Sequence, residues 1–513
     1  MSLTILLIFP PTICAPTDLP ELFPPLGLAY IAAVLEEKEV NVHLIDSLAE
    51  GSNIIKVLKN GLIRVGLNIE SLKERVKSLN PDIVGISCPY TSSAMEAHKV
   101  AKIIKELYPK AHIIFGGAHA SAIPEIILKD ESIDIVVIGE GEMTFLNIVD
   151  NVLMEKDISE VKGIVFKKNG KIIKTPPREF IQHLDILPFP ARHLLPMHIY
   201  LNDPRAHMYA VRSPRTSIIT SRGCPFNCVF CSIHSVWGRK WRARSPKNVA
   251  DEIEFLVEKY RIRELAILDD NFTLDKKRVM RICNEIITRH IDIKWSTPNG
   301  IAFWTLDKEV LTMMKKSGYY RATFGIESGC KETLNFVRKP VNLNYARKVI
   351  KFCNDIGLWT HSTFVIGFPN ETLDSINQTI EFAKKSGLDF ATFYIATPYP
   401  GTDLYGIFKK NGLIKNESLY DSVTKTSHNT RYFKSEELIK LANKAHIEFL
   451  KYRILNYFKP NNLVKLSNKL GSVEDLRYML KIGLNGLKIV LNALVTGEVD
   501  YFSKTRLEGG KSK

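Results

Sequence analysis

The chain has 513 residues, 45% of them apolar and 24% charged, the usage of a globular protein of two to four domains, which excludes disordered and fibrous architectures. Repeat arrays are excluded as well, because no self-similarity with a period of about 20–50 residues is present. The formal charge of +15 is unevenly spread: residues 431–513 carry 16 Lys and Arg against 8 Asp and Glu, so this tail either solubilises one face or meets nucleic acid, an anionic membrane surface or an acidic substrate.

Residues 3–9 form a short apolar run with the character of a buried strand, cut by Pro10-Pro11. That run is far shorter than the roughly 18 apolar residues of a bilayer-spanning helix, and no basic stretch precedes it as in a secretory signal. A helix is predicted over 28–37, an alternating strand over 40–45 and a charged helix around 72–79. The strand 83–87, the helix 93–108 and the strands 112–115 and 133–138 follow. Buried strands alternating with amphipathic helices predict a parallel sheet covered on both faces, so residues 1–155 read as one doubly wound, Rossmann-like α/β domain. Ligands of such sheets lie beyond the carboxyl ends of the strands, where Pro10-Pro11, Ser87-Cys88-Pro89-Tyr90, Gly116-Gly117-Ala118-His119 and Gly139-Glu140-Gly141-Glu142 fall.

A hairpin around Asn169-Gly170 opens a proline-rich linker over 156–205. From residue 206 to 403 the cadence changes. Strands at 216–221, 264–268, 293–297, 320–326, 359–366 and 390–396 alternate with helices at about 246–260, 275–290, 307–317, 343–357 and 372–387, predicting a partial (β/α)6 barrel with its chemistry at the strand carboxyl ends. Residues 404–513 read as a helical C-terminal region. Its stretch 478–495 is amphipathic through Met479, Ile482, Leu487, Val490, Leu491 and Leu494, which pack on the barrel or face a membrane.

Five of the eight cysteines (Cys14, Cys88, Cys283, Cys330 and Cys353) stand singly in apolar or helical context, as buried thiols of a reducing cytoplasm do. The other three, Cys224, Cys228 and Cys231, fall within eight residues of a polar loop just after the first barrel strand. Three thiolates at this spacing satisfy three irons of a 4Fe-4S cluster and leave one iron open. A zinc site wants four closed ligands, and only His234 stands near enough to be the fourth.

With Phe230 as its aromatic, this C-x3-C-x-aromatic-C loop resembles the signature of the radical S-adenosylmethionine enzymes. The resemblance extends through Leu268-Asp269-Asp270-Asn271-Phe272-Thr273, Phe324-Gly325-Ile326-Glu327-Ser328-Gly329 and Phe364-Val365-Ile366-Gly367-Phe368-Pro369-Asn370-Glu371-Thr372, each at a strand end. Pro24-Pro25-Leu26-Gly27-Leu28-Ala29-Tyr30, the strand ending in Ser87, Phe115-Gly116-Gly117 and Gly139-Glu140-Gly141-Glu142, placed before such a barrel, resemble the cobalamin-binding class of that superfamily. The chain lacks the D-x-H-x-x-G motif that supplies a lower axial histidine to better-known cobalamin domains; His43 and His119 are the nearest candidates.

The resemblance implies a 4Fe-4S cluster on Cys224, Cys228 and Cys231, S-adenosylmethionine on its open iron, and cobalamin on the N-terminal domain. It implies that Phe230, Glu327, Ser328 and Gly367 hold S-adenosylmethionine, Glu327 through charge-assisted bonds and Gly367 by letting backbone approach the adenine. Gly27, Ser87, Gly116, Gly117 and Glu140 are then cobalamin contacts, and Asp269, Asp270 and Asn299 face the barrel mouth as candidates for substrate contact or proton transfer. The implied activity is methylation of an unactivated carbon of a small molecule or of a lipid, isoprenoid or tetrapyrrole, driven by an external one-electron reductant. The alternatives are a ring-forming or oxidising radical enzyme on a hydrophobic substrate and a non-enzymatic cobalamin sensor. A transfer-RNA methylthiotransferase would need further N-terminal cysteines, so no nucleic-acid partner is expected. The expected location is the cytoplasm, with the basic amphipathic tail touching the inner face of a membrane.

Overall fold

A computed structural model describes residues 3–16, 19–59, 61–207, 209–414, 426–457 and 459–496. The N-terminal sheet begins with β1 (Thr4–Phe9), whose Ile5, Leu6, Leu7 and Ile8 are consecutively buried. Such a run suits a strand covered by helices on both faces, where alternation has no use. β1 pairs in parallel with β2 (Asn41–Asp46) on one side and β3 (Ile83–Ser87) on the other, and the sheet continues through β4 (His112–Gly116) and β5 (Ile135–Val137). Two further strands, β6 (Ile164–Lys168) and β7 (Lys171–Lys174), join antiparallel at the β5 edge, giving the order β7-β6-β5-β4-β3-β1-β2. Their turn is the one the sequence signals, with Asn169 and Gly170 at φ of 52° and 73°. The sheet therefore runs past residue 155, because the hairpin placed in the linker covers its open edge. A small antiparallel sheet of Thr12–Cys14, Ile55–Val57 and Ile63–Val65 was not foreseen; three-residue strands are too short to show a period.

The second sheet has the six expected strands in chain order, all parallel: β8 (Arg215–Ile218), β9 (Glu264–Ile267), β10 (Lys294–Ser296), β11 (Tyr319–Glu327), β12 (Trp359–Ile366) and β13 (Phe390–Ile395). Among the described residues β8 and β13 do not pair, so the barrel is open. Between the strands run the helices Pro246–Tyr260, Lys276–Thr288, Lys308–Lys316, Leu343–Asp355 and Leu373–Lys385, each started by a side-chain cap, from Ser245, Asp275, Asp307, Asn342 and Thr372 in turn. One apolar core, including Trp295, Phe324, Phe364 and Phe393, fills the barrel and extends to Leu438, Ala442, Ala445 and Phe449 of the long helix Ser435–Tyr457.

The last described helix, Val473–Thr496, divides between the two readings of the tail. Glu474 pairs with Arg212 and Arg263, and Tyr478 packs edge-on against Tyr320 and Trp359, at the amino-terminal ends of β11 and β12. The helix thus sits under the barrel, at the end opposite the cysteines, and offers no route from a membrane to the barrel mouth. Its apolar residues also divide. Tyr478, Met479 and Ile482 join the barrel, whereas Leu487 and Leu491 are exposed. The side chains of Val490 and Leu494 lie outside the described residues. Among the described residues no helix is long and apolar enough to cross a membrane.

Candidate functional site

The loop after β8 is fixed before it reaches the first cysteine. Asp269, just beyond β9, accepts from Thr220 N, Thr220 Oγ1 and Ser221 Oγ, each at 2.6 Å. Ser221–Arg222 then pairs with Arg242–Ala243, and Gly223 turns at φ +85°, where a Cβ would stand 2.6 Å from Lys240 O. No other residue fits there. Cys224, Cys228 and Cys231 follow as half-buried free thiols. Val229 between them is anchored by Val229 N donating to Val337 O at 3.3 Å and by Leu404 N donating to Val229 O at 2.8 Å.

Burial pushes all three thiols up, Cys231 to about 12, while the Lys339 ammonium pulls Cys228 the other way. Half-buried sulfurs on an anchored loop, beside a cation that favours thiolate, are the donor set a 4Fe-4S cluster requires. Among the described residues no three His, Cys, Asp or Glu side chains are grouped to hold a single metal ion. Each thiolate of a four-iron cluster takes its own iron, so the triplet has no need to converge on one point. The residues fit the cluster.

Two further strand ends close on the same loop. Glu327 ends β11 with φ +67°, a conformation a non-glycine residue adopts only when its surroundings hold it, and Lys339 Nζ donates to its carboxylate. Gly325 leaves room for this pair, since a Cβ there would lie 2.6 Å from Lys339 Nζ. Lys339 was missed from the sequence: it follows a short helix in no recognisable motif. Gly367, at φ +86° after β12, donates its N–H at 2.7 Å to Glu371, whose carboxyl burial raises to about 7. Phe230 lies 6.2 Å from Phe368, ring to ring, facing this turn. Half-buried Phe226 packs edge to face on Trp304 at 5.1 Å, inside the cysteine loop.

The other expected residues divide. Asp270 is at the site, accepting from Gly223 N at 3.3 Å, with burial and then Asp269 raising its carboxyl to about 7. Asn299 lies exposed at the rim and donates to Leu268 O at 2.8 Å. The Asp269 carboxylate is engaged in holding the loop after β8, so it positions the cysteines. Ser328 is a correction. Its side chain is fully buried against Thr379 Oγ1 at 2.9 Å and accepts from Cys330 N at 3.1 Å, turned into the barrel wall because the strand ends one residue earlier.

In the N-terminal domain, Ser87, Gly116 and Gly117 stand at the carboxyl ends of β3 and β4. Gly117, at φ +108°, is required by its own chain, since a Cβ would lie 2.8 Å from the Cys88 carbonyl. Gly27, in the helix Leu26–Leu35, faces open space. His43 is exposed on the edge strand β2, away from the loops. His119 is buried, hydrogen-bonded to Thr91 Oγ1 at 3.0 Å, and desolvation pushes it down to about 4, so the ring is neutral.

Glu140 departs most from expectation. Its carboxylate accepts from Arg222 Nη1 at 2.9 Å, Arg242 Nη1 at 2.8 Å and Ile181 N at 2.8 Å, while Arg222 Nη2 reaches Glu142 at 2.6 Å. The Arg222 guanidinium also lies over Trp237, 4.7 Å from the ring centre. Two arginines and two glutamates, all nearly excluded from solvent, thus clasp the loop after β5 to the residues immediately before Cys224. Glu140 is committed to this clasp and is not free for a ligand. Gly401 lies close against Ala122 and Gly238 against the Phe180 ring, where a Cβ would stand 2.8 Å and 2.6 Å from them, so the barrel mouth meets both the loop after β4 and the linker.

Two family models match the chain: the B12 binding domain over residues 17–149 and the radical SAM superfamily over residues 218–383. An uncharacterised methyltransferase of Pyrococcus horikoshii is 37% identical over 452 residues, 87% of this chain and 92% of that protein. The cytidylyl-2-hydroxyethylphosphonate methyltransferase of Streptomyces wedmorensis is 33% identical over 467 residues, 84% of this chain and 87% of that protein. Among solved structures, the radical S-adenosylmethionine methyltransferase TsrM of Kitasatospora setae, with cobalamin and a 4Fe-4S cluster bound, superposes with a TM-score of 0.66 over 90% of each chain at 15% identity, a likeness of fold.

Proposed function

Because the chain belongs to the cobalamin-binding radical S-adenosylmethionine enzymes, we propose that it methylates an unactivated carbon of a lipid, isoprenoid or tetrapyrrole, drawing electrons from an external one-electron reductant. The observation that carries this reading is the buried clasp, which holds the two cofactor-bearing edges face to face. When bound, the cluster with S-adenosylmethionine supplies the radical that opens a C–H bond, and cobalamin supplies the methyl group.

The chain's own residues bind and orient. Cys224, Cys228 and Cys231 hold the cluster, and Asp269 fixes the loop that carries them. Glu327, oriented by Lys339, is placed to accept from the amine or ribose hydroxyls of S-adenosylmethionine, and the Gly367 turn with Phe230 takes its adenine. Ser87, Gly116 and Gly117 with Gly27 would offer backbone and a small hydroxyl to cobalamin, and His119, held at Nδ1 by Thr91, stands beside the Gly116-Gly117 turn. Asp270, raised to about 7, and Asn299 stand at the rim where an acceptor enters. The apolar wall of Phe226 and Trp304 supports a flat or hydrocarbon acceptor.

The exposed apolar stripe described below supports contact with the inner face of a membrane. Anaerobic incubation with lipid and tetrapyrrole extracts and with a cytidylyl phosphonate, followed by mass spectrometry for a gain of one methyl group, tests the acceptor class. Methylation of the phosphonate alone overturns the hydrophobic assignment.

A further inference from the structure

The helix Val473–Thr496 is apolar on two opposite faces, and the barrel covers one of them. Tyr478, Met479 and Ile482 dock beneath the barrel with Tyr320 and Trp359. On the opposite side, at steps of three and four residues, Leu476, Leu480, Leu484, Leu487 and Leu491 form a stripe in which each side chain is between 42% and 60% exposed. Nearby, Leu463 and Val464 of the helix Pro460–Ser467 are exposed too. Nine of the 22 exposed large apolar side chains among the described residues fall between Leu455 and Leu491, so this is a patch and not the scatter normal on a surface.

The charge along the stripe decides what covers it. Arg477 and Lys488 line one flank of the leucines, and after Asp475 the helix holds no acidic residue. Two copies packed stripe to stripe would set these cations beside one another and leave them without a partner. A surface that is apolar inside and negative at its rim satisfies both features, and an anionic bilayer is such a surface. Among the described residues no helix is long and apolar enough to span the bilayer, so the contact lies in its surface.

We propose that residues 473–491 are an in-plane anchor that seats the base of the barrel on anionic lipid through Leu476, Leu480, Leu484, Leu487 and Leu491, with Arg477 and Lys488 on the headgroups. This deepens the peripheral contact named above. The anchor and the barrel mouth lie at opposite ends of the barrel, so the enzyme sits on the membrane with its catalytic opening directed away from it. The contact therefore fixes where the enzyme works and is independent of the acceptor.

The test is co-sedimentation of the full-length, cluster-loaded protein with phosphatidylcholine vesicles with or without phosphatidylglycerol. Binding is expected only with phosphatidylglycerol and is released by 0.5 M salt, on the order of the loss expected when the Debye length falls from about 10 Å to below 5 Å. R477Q/K488Q weakens partition on the order of 30-fold, at about 1 kcal/mol per cation near the surface. L480S/L484S/L487S abolishes it while leaving the unfolding temperature and the 5′-deoxyadenosine yield unchanged, because these side chains touch solvent. Equal binding to both vesicle types, no binding to either, or a dimer in sedimentation equilibrium that the serine variant dissolves overturns the proposal. Methyl transfer measured without vesicles reads the proposed activity separately.

Discussion

Glu140→Gln tests the clasp between the two domains. The wild-type group balances two guanidiniums against two carboxylates, and Glu140 is the one carboxylate paired with Arg242 among the described residues. The amide removes one negative charge, leaves Arg242 with no anionic partner, and, with its oxygen kept toward the two guanidiniums that share Oε1, turns its NH2 against the Ile181 N–H. Glu140 and both arginines are 2–4% exposed, so water screens nothing. Removing one partner from a buried ion pair costs about 3–5 kcal/mol, and at about 2–4 °C per kcal/mol for a domain of this size the midpoint falls by about 10 °C. Anaerobic thermal unfolding followed by circular dichroism measures this, and the loss stays the same in 0.5 M salt because the group is buried. Adding Arg242→Met restores charge balance and recovers at least half the loss. Because the clasp joins the cysteine loop to the loop after β5, E140Q also lowers methylated product more than 5′-deoxyadenosine. A midpoint within about 2 °C of wild type, or a double variant whose losses simply add, refutes the reasoning.

Alanine at Cys224, Cys228 or Cys231 abolishes the cluster absorbance and 5′-deoxyadenosine formation, whereas Cys283→Ala, in the barrel core, does neither; iron and sulfide near eight per chain, in place of about four, would show a second cluster. Glu371, raised from 4.5 to about 7 by desolvation, contributes stability that is full below pH about 4.5 and lost as pH rises through 7, on the order of 3 kcal/mol. E371Q should flatten the fall in unfolding temperature between pH 5 and 8, and an unchanged slope counts against the buried carboxyl. Electron paramagnetic resonance of cobalt(II) in the full chain should show no nitrogen splitting from a protein histidine and no change in His119→Ala; a splitting lost in that variant would make His119 the lower ligand.

The barrel was legible because short, largely buried strands alternate regularly with capped amphipathic helices, and the cysteine triplet because its ligands are close in sequence. The clasp was not. Arg222 and Arg242 stand 82 and 102 residues from Glu140, and a glutamate between two glycines at a strand end reads equally well as a ligand contact. Lys339 was hidden in the same way, its role set by the bend that brings it over Glu327. Ser328 shows a finer limit: the motif places it at a strand end, but whether it faces the mouth or the wall depends on where the strand stops. In the tail, periodicity revealed an apolar helix without telling which face the barrel takes, and the two faces have different fates.

The central claim is that the protein moves a methyl group from S-adenosylmethionine to carbon and uses a second S-adenosylmethionine for the radical. It is tested most directly by S-adenosylmethionine bearing a trideuterated methyl group, with the acceptor, a low-potential reductant and the cluster- and cobalamin-loaded enzyme under anaerobic conditions. The account predicts trideuterated product with S-adenosylhomocysteine and 5′-deoxyadenosine each formed in equal amount to it. Product that is cyclised or oxidised without deuterium, accompanied by 5′-deoxyadenosine and no S-adenosylhomocysteine, would contradict it.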